Sequence, residues 1–391
     1  MDFVFGTTSL SIQIHHHSSV PLKSPDPLVN ELINLVKSYS HRWESLEITL
    51  QSELLRLFRD SIDGLSILKR LILAPAHAYS FRNQPFNIGA LFPSPICVSL
   101  SSSTVCPLEI CWDNVTHFTA RHMGIGQALE LLQLPPQLQE FTLSGLRRAN
   151  DGDLPSSPIL HTRLETLHMY HPLKAVSYHL MKNISYQLMK NISHQLMKNI
   201  ALPSLKHLDY SGRRLSTGSI IDFLDHSGCS LETFSLRGPD INEDIINLFC
   251  TMPHLETLTL GSRYITDSLL NMLAATTGAS AHLLNGQTDA PFLHKLQSLT
   301  CIGRSIFPWF WLPIVFGRRR TNGSSDSASE SDTSKSGTFD RRPLHSFTVV
   351  QDIDNSDDPD TTVMVELKRL REEGYIIDIV FGRVKSALVA I

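Results

Sequence analysis

Four residues with zinc-ligating side chains fall in one stretch, Cys106-x4-Cys111-x5-His117-x4-His122. Structural zinc sites pair cysteines across about two to four residues and wait roughly twelve more before the first histidine. Both intervals are missed here, and His117 falls at a strand position, so no metal is assigned. The run His15, His16 and His17 has no partner cluster and reads as solvated. Asp352, Asp354, Asp357, Asp358 and Asp360 resemble a calcium loop, but Asp357 stands where the turn needs glycine and Val363 where it needs a bidentate glutamate. A simpler expectation is an acidic loop feeding a helix over residues 361–373, stopped by Gly374. There is no phosphate-binding loop, nucleophile elbow or pair of catalytic carboxylates. The sequence therefore predicts no enzyme and no cofactor.

Composition narrows the partners. Of 391 residues, 42% are hydrophobic and 18% charged, which suits a chain with a well-supplied core. With 34 basic against 38 acidic side chains the net charge is −4, too balanced to predict nucleic acid or an anionic membrane. The basic pairs and triplets at Arg147–Arg148 and Arg318–Arg320 carry no interleaved aromatics and read as solvated surface. Six cysteines in a chain of this length do not make a disulfide framework, and most lie in apolar runs, predicting a reducing intracellular compartment, cytoplasmic or nuclear. The apolar stretch 306–316 is far below the ~20 residues that span a bilayer and contains Pro308 and Pro313.

The elements that must position any functional residue announce themselves by repetition. An apolar–x–x–apolar–x–apolar motif recurs as Leu68-Lys-Arg-Leu71-Ile-Leu73, Leu138-Gln-Glu-Phe141-Thr-Leu143 and Leu164-Glu-Thr-Leu167-His-Met169. It continues as Leu205-Lys-His-Leu208-Asp-Tyr210, Leu231-Glu-Thr-Phe234-Ser-Leu236, Leu255-Glu-Thr-Leu258-Thr-Leu260 and Leu344-His-Ser-Phe347-Thr-Val349. Looser versions begin at Leu46, Val115 and Leu296, and the long gap before Val115 leaves room for a strand at Ile96-Cys-Val-Ser-Leu100. The steps from Leu138 to Leu164 and from Leu205 to Leu231 are 26, and the next is 24, within the leucine-rich-repeat period of about 20 to 29. Helical signatures lie between: Ile220-Ile-Asp-Phe-Leu224, Ile245-Ile-Asn-Leu-Phe249 and Leu269-Leu-Asn-Met-Leu273, with Thr217, Asn242 and Thr266 as caps. One strand and one helix cannot bury their own apolar faces, whereas stacked copies share a core. The predicted fold is an α/β leucine-rich-repeat solenoid, a horseshoe with parallel strands inside and helices outside, over residues 28–382.

Three segments fall outside the repeat. Residues 1–27 read as a disordered leader and 383–391 as a tail. Residues 318–342, mostly Ser, Gly, Asp and Thr, read as a disordered loop. Residues 177–200 hold three near-identical octapeptides, such as Ser193-His-Gln-Leu-Met-Lys-Asn-Ile200. Removing two copies shortens the step from Leu164 to Leu205 to an ordinary 25. Eight residues at ~100° overshoot two helical turns by about 80°, so three copies smear an apolar stripe rather than build a partner helix. The segment reads as a tolerated surface insertion.

The repeats, the opening Ser40-His-Arg-Trp43-Glu-Ser-Leu46 and the ending Glu372-Glu-Gly374-Tyr-Ile-Ile resemble the fungal F-box/leucine-rich-repeat-like proteins, over about residues 28–382. That resemblance implies the substrate-recruiting arm of a ubiquitin ligase, tied to it through a Skp-type adaptor. An F-box opens with a leucine–proline–x–glutamate-like run, and only Asp26-Pro-Leu-Val-Asn-Glu31-Leu-Ile approaches this; the expectation is that the F-box is absent or degenerate. The alternative is a stand-alone interaction scaffold.

Either way the expected partner is another protein, held on the inner strand surface. Alternation turns the residues between the motif's apolar positions outward. Among these, Arg121, His168, Tyr170, His207, Asp209 and Arg237 are the candidate binding residues, because aromatics and arginine are enriched at interface anchors.

Overall fold

The computed structural model of the protein describes residues 9–15, 27–50, 54, 56–58, 67–75, 86–87, 93–101, 108–147, 154–170, 192–212, 216–237, 245–261, 265–275, 292–303, 309–316, 344–351 and 361–381. Two compact units emerge, Met1–Leu205 with Asp222–Cys229, and Lys206–Ile221 with Ser230–Ile391. Each is mixed α/β, a parallel sheet accompanied by helices.

In the first unit the main strands are β1 (Leu10–His15), β2 (Trp43–Leu50), β3 (Arg70–Pro75), β4 (Cys97–Ser101), β5 (His117–Arg121), β6 (Glu140–Ser144) and β7 (Thr166–Tyr170). They lie side by side in chain order. In the second unit β8 (His207–Ser211), β9 (Thr233–Arg237), β10 (Thr257–Gly261), β11 (Ser298–Gly303), β12 (Ser346–Gln351) and β13 (Ile376–Phe381) do the same. Helices α1 (Pro27–Ser38) and α2 (Ile125–Leu132) belong to the first unit. Helix α3 (Thr217–Ser227) has its first turn in the second unit and the remainder in the first, and α4 (Ile245–Cys250), α5 (Asp267–Ala275) and α6 (Thr361–Glu372) lie in the second.

The motif explains the register. The N–H of its first apolar residue closes a tight turn, as in Val115 to the carbonyl of Trp112 (3.1 Å), Leu138 to Pro135 (3.2 Å), Leu205 to Leu202 (3.1 Å) and Leu255 to Met252 (3.2 Å). Its side chain is sealed: Val115, Leu138, Leu164, Leu205 and Leu255 are 0% exposed. The next two N–H groups then converge on one carbonyl of the preceding repeat. Gln139 and Glu140 donate to Thr116 O at 2.9 and 3.0 Å, and Glu165 and Thr166 donate to Gln139 O, both at 2.9 Å. In the second unit Glu256 and Thr257 share Glu232 O at 2.8 and 3.0 Å, and Gln297 and Ser298 share Glu256 O at the same distances. This shared acceptor locks each strand one ladder spacing from the last.

The second apolar position consequently forms an unbroken ladder in each unit. Leu46, Leu71, Val98, Phe118, Phe141 and Leu167 pair in turn, as do Leu208, Phe234, Leu258, Leu299, Phe347 and Ile377. Stacked Phe118 and Phe141, with centroids 5.4 Å apart, show how tightly one rung meets the next. The strand expected at residues 96–100 is β4, between β3 and β5.

The helices fall where the periodicity put them. Leu269 N–H is capped by Thr266 Oγ1 at 3.2 Å. Thr217 is the first helical residue of α3, so the cap position moves back to Ser216, whose carbonyl accepts from Ile220. Helix α6 ends at Gly374 (φ +96°), with Tyr375 N–H returning to Leu370 O, a left-handed stop that glycine adopts without strain.

One expectation is overturned. Leu10–His15, assigned to a disordered leader, form β1 and pair with β2 from Ser11↔Ser45 through His15↔Thr49. Leu10, Ile12 and Ile14 alternate with polar residues, a period-2 pattern that carries a strand without the leucine motif. Part of the octapeptide segment is also core: residues 192–198 are helical, and Leu196 and Met197 are 0% and 1% exposed. The last copy therefore serves as the ordinary helix of its repeat. The remaining copies, Cys106, Asn242, residues 318–342 and 352–360 and the tail 383–391 lie outside the described residues.

Candidate functional site

In the first unit the outward positions of adjacent strands line up in rows. Glu47, Ile72, Ser99, Thr119, Thr142 and His168 form one, and Ser101, Arg121, Ser144 and Tyr170 form the next toward the strand C-termini. His168 and Tyr170, two residues apart on β7, stack with ring centroids 5.8 Å apart and planes 11° from parallel. Tyr170 Oη lies 3.3 Å from His168 Nδ1. The other ring nitrogen, Nε2, is 3.8 Å from Glu140 Oε1, while His117 Nε2 approaches Glu140 Oε2 at 3.8 Å from the other side. Thr116 Oγ1 meets His117 Nδ1 at 2.7 Å. A carboxylate is thus framed by two imidazoles, each steadied by a hydroxyl, beside a flat half-buried aromatic pair. Such a surface offers hydrogen bonding at one edge and apolar contact on its face. Arg121 is exposed at the end of β5.

In the second unit the three candidates sit differently. Asp209 is only 8% exposed and its neighbour Ser235 only 6%. Arg237 lies over both, with Nη2 3.6 Å from Asp209 Oδ2 and Nε donating to Ser235 Oγ at 3.1 Å. Asp209 and Arg237 alternate with the sealed Leu208 and Leu236, but parity along the strand could not foresee that the long guanidinium would fold back along it. His207, earlier on the same strand, is half-buried.

The candidate set stopped short of the last strands. Gly261, Ile302, Val350 and Val380 form one outward row, and Ile376 and Val380 of β13 are 53% and 48% exposed. The same alternation applied to β11, β12 and β13 would have found this apolar stripe.

Among the described residues no group of three or more His, Cys, Asp or Glu side chains is arranged to hold a metal ion. Cys111 turns its thiol toward Asp113 Oδ2 at 3.7 Å, and His117 is occupied with Glu140. Burial pushes the Cys229 thiol up to about 11 and raises those of Cys97 and Cys301 as well, making them poor thiolates. A cleft near the start of β2 and β3, of about 740 Å³, is lined by Glu44, Lys69, Ser94 and Asn114 among others. Its polar groups already satisfy one another, Lys69 Nζ donating to Glu44 at 2.7 Å and Asn114 Nδ2 to Ser94 Oγ at 2.7 Å.

No protein-family model matches the chain, and no curated protein matches it. Among the described residues no helix is long and apolar enough to cross a membrane.

Proposed function

We propose that the chain is a leucine-rich-repeat solenoid of the horseshoe type that binds another protein on its strand face, as the substrate-recognition part of an F-box-type ubiquitin-ligase receptor. The observation that carries the binding reading is the uncovered outward surface of the first unit. There Arg121 and His117 are exposed and the His168–Tyr170 pair half-exposed, on strands whose other side is sealed core. Rigid strands presenting aromatic and arginine side chains suit a protein interface.

A photo-crosslinking residue placed at Tyr170 or Thr142, compared with one at the exposed Glu130 of α2, tests the reading in the native cell. Crosslinks from the strand positions alone are expected. Equal or stronger capture from Glu130 would sink the strand-face assignment.

The ligase part draws on a separate observation. Leu28, Leu32 and Leu35 on α1 are 71%, 55% and 57% exposed, and Tyr39 follows one turn later. This ridge at helical spacing begins with Leu28 and Leu32 inside residues 26–33, the segment closest to an F-box. Co-expression with a Skp-type adaptor, followed by size-exclusion chromatography, decides between receptor and stand-alone scaffold. Co-elution abolished by Leu28→Ser with Leu32→Ser supports the receptor. Separate elution of a folded chain leaves the scaffold.

A further inference from the structure

Beyond the last paired residues of β5 and β6 the two segments stay tied together. His122 N–H donates to Ser144 O at 2.7 Å, Arg147 N–H to Met123 O at 2.8 Å, and Ile125 N–H to Arg147 O at 3.1 Å, with a parallel bridge between Gly124 and Arg147. His122 takes a left-handed conformation (φ +54°), and Gly145 opposite it does too (φ +63°). The imidazole lies directly on that glycine: a Cβ there would fall 2.5 Å from His122 Nδ1. The backbone thus fixes Arg121, His122 and Arg147 in one place, and all three are exposed.

No ion pair among the described residues involves any of the three. His122 registers the resulting field: burial against its neighbours, then the charges of Arg147 and Arg121, hold its imidazole below the ordinary 6.5. The N-terminus of α2, at Ile125, adds its positive end to the same spot. Glu140 stands four residues before Ser144, roughly 13 Å down the strand, and is engaged by His117 and His168. Two arginines that disfavour the protonated form of the imidazole beside them, with their backbone tied across β5 and β6, are complementary to carboxylates, which arginine grips in bidentate fashion.

We propose that Arg121, His122 and Arg147 form a docking point for an acidic, Asp- or Glu-rich segment of the partner protein. This rests on the protein-binding reading above and specifies the chemistry of what the face receives. Nucleic acid fits less well, since the positive charge is confined to one end of the strands and does not run as a stripe along a phosphate backbone. Tyr170, in the same row as Arg121 and tied by its carbonyl to Gly145 N–H at 2.9 Å, gives the segment an aromatic shoulder.

The test uses the full chain and hexaglutamate as probe, with hexaglutamine as control, following the His122 ring proton by NMR across pH. Bound carboxylates oppose the arginine charges, so hexaglutamate raises the His122 pKa by about half a unit or more at low salt. The shift saturates, its half-point moves several-fold higher between about 20 and 200 mM salt, and hexaglutamine produces none. Arg121→Gln with Arg147→Gln abolishes binding, whereas Arg121→Lys with Arg147→Lys retains it in part. No shift with millimolar hexaglutamate, or an equal shift in the Gln double variant, overturns the proposal. Either negative leaves the photo-crosslinking result at Tyr170 and Thr142 untouched, so the docking point can fail while the strand face stands.

Discussion

Two carboxylates at equivalent strand parity behave in opposite ways. Glu140 in the first unit is 40% exposed in its side chain and shared by two histidines at 3.8 Å. Asp209 in the second unit is 11% exposed in its side chain and covered by Arg237, itself at 18%. Strand position sets which way a side chain leaves the backbone, but the reach of its neighbours sets whether it stays in water. Short Thr142 and Thr166 leave Glu140 open, whereas Arg237 closes over Asp209 and Ser235. The first carboxylate lies at the surface. The second has become part of the scaffold.

The firmest reference point is the apolar side of the same strands. Leu236 and Leu258 are 0% exposed, so Leu236→Ala or Leu258→Ala is expected to cost about 2–5 kcal/mol in urea unfolding, from lost burial and a residual cavity. If outward changes such as Thr259→Ala cost as much, inside and outside have been exchanged.

Against that scale, Asp209→Ala leaves a largely buried guanidinium without its carboxylate. It is expected to cost about 2–4 kcal/mol, somewhat below a fully buried pair because some solvent reaches it. Glu140→Ala removes a carboxylate from exposed contacts and should change stability by under ~0.5 kcal/mol. Similar losses for the two would erase the distinction between scaffold and surface.

Most of the strand architecture was readable because one motif sets both the turn and the strand: in every repeat from Leu138 to Leu255 pairing begins two residues after the leading leucine. β1 escaped because Leu10, Ile12 and Ile14 lack that motif and only alternate. The candidate site was half legible. Direction comes from parity along the strand, which sequence states directly; accessibility depends on side chains from adjacent strands, which only register brings together. His122, Gly145 and Arg147 were not legible at all. Their juxtaposition needs two left-handed residues on neighbouring strands, and nothing in the spacing of His122 and Gly145 signals it.

The octapeptides extend the contrast to the helices. Deleting residues 185–200 leaves Ser177-Tyr-His-Leu-Met-Lys-Asn-Ile184 to occupy the place of Ser193-His-Gln-Leu-Met-Lys-Asn-Ile200, so Leu180 and Met181 replace the buried Leu196 and Met197. The fold is expected to survive with a stability change of about 1 kcal/mol or less, since loop length enters closure entropy only logarithmically. An aggregated or molten product in size-exclusion and near-ultraviolet circular dichroism would mean that the copies are not interchangeable.

The smallest effect expected is a pH dependence that separates the open cluster from the closed one. His122 is less willing to take a proton in the folded chain than at its ordinary 6.5, chiefly through burial and then through Arg147 and Arg121. The unfolded chain therefore binds the proton more tightly, and acid favours unfolding. The contribution of His122 is fully present above about 6.5 and is lost as the pH falls from there through its lowered folded value. Its partial exposure keeps the effect small, so it is best read as a difference between variants. The urea midpoint of the native chain should decline on going from pH 7.5 to 5 by more than that of His122→Gln, and Arg121→Gln with Arg147→Gln should close part of the gap by relieving the repulsion. Asp209→Asn should leave the His122-dependent difference unchanged, because its carboxylate is engaged with Arg237 and does not enter the causes acting on His122. A gap that persists undiminished in the arginine variants would assign the whole depression to burial against Gly145, and would remove the arginine field that supports the acidic docking point.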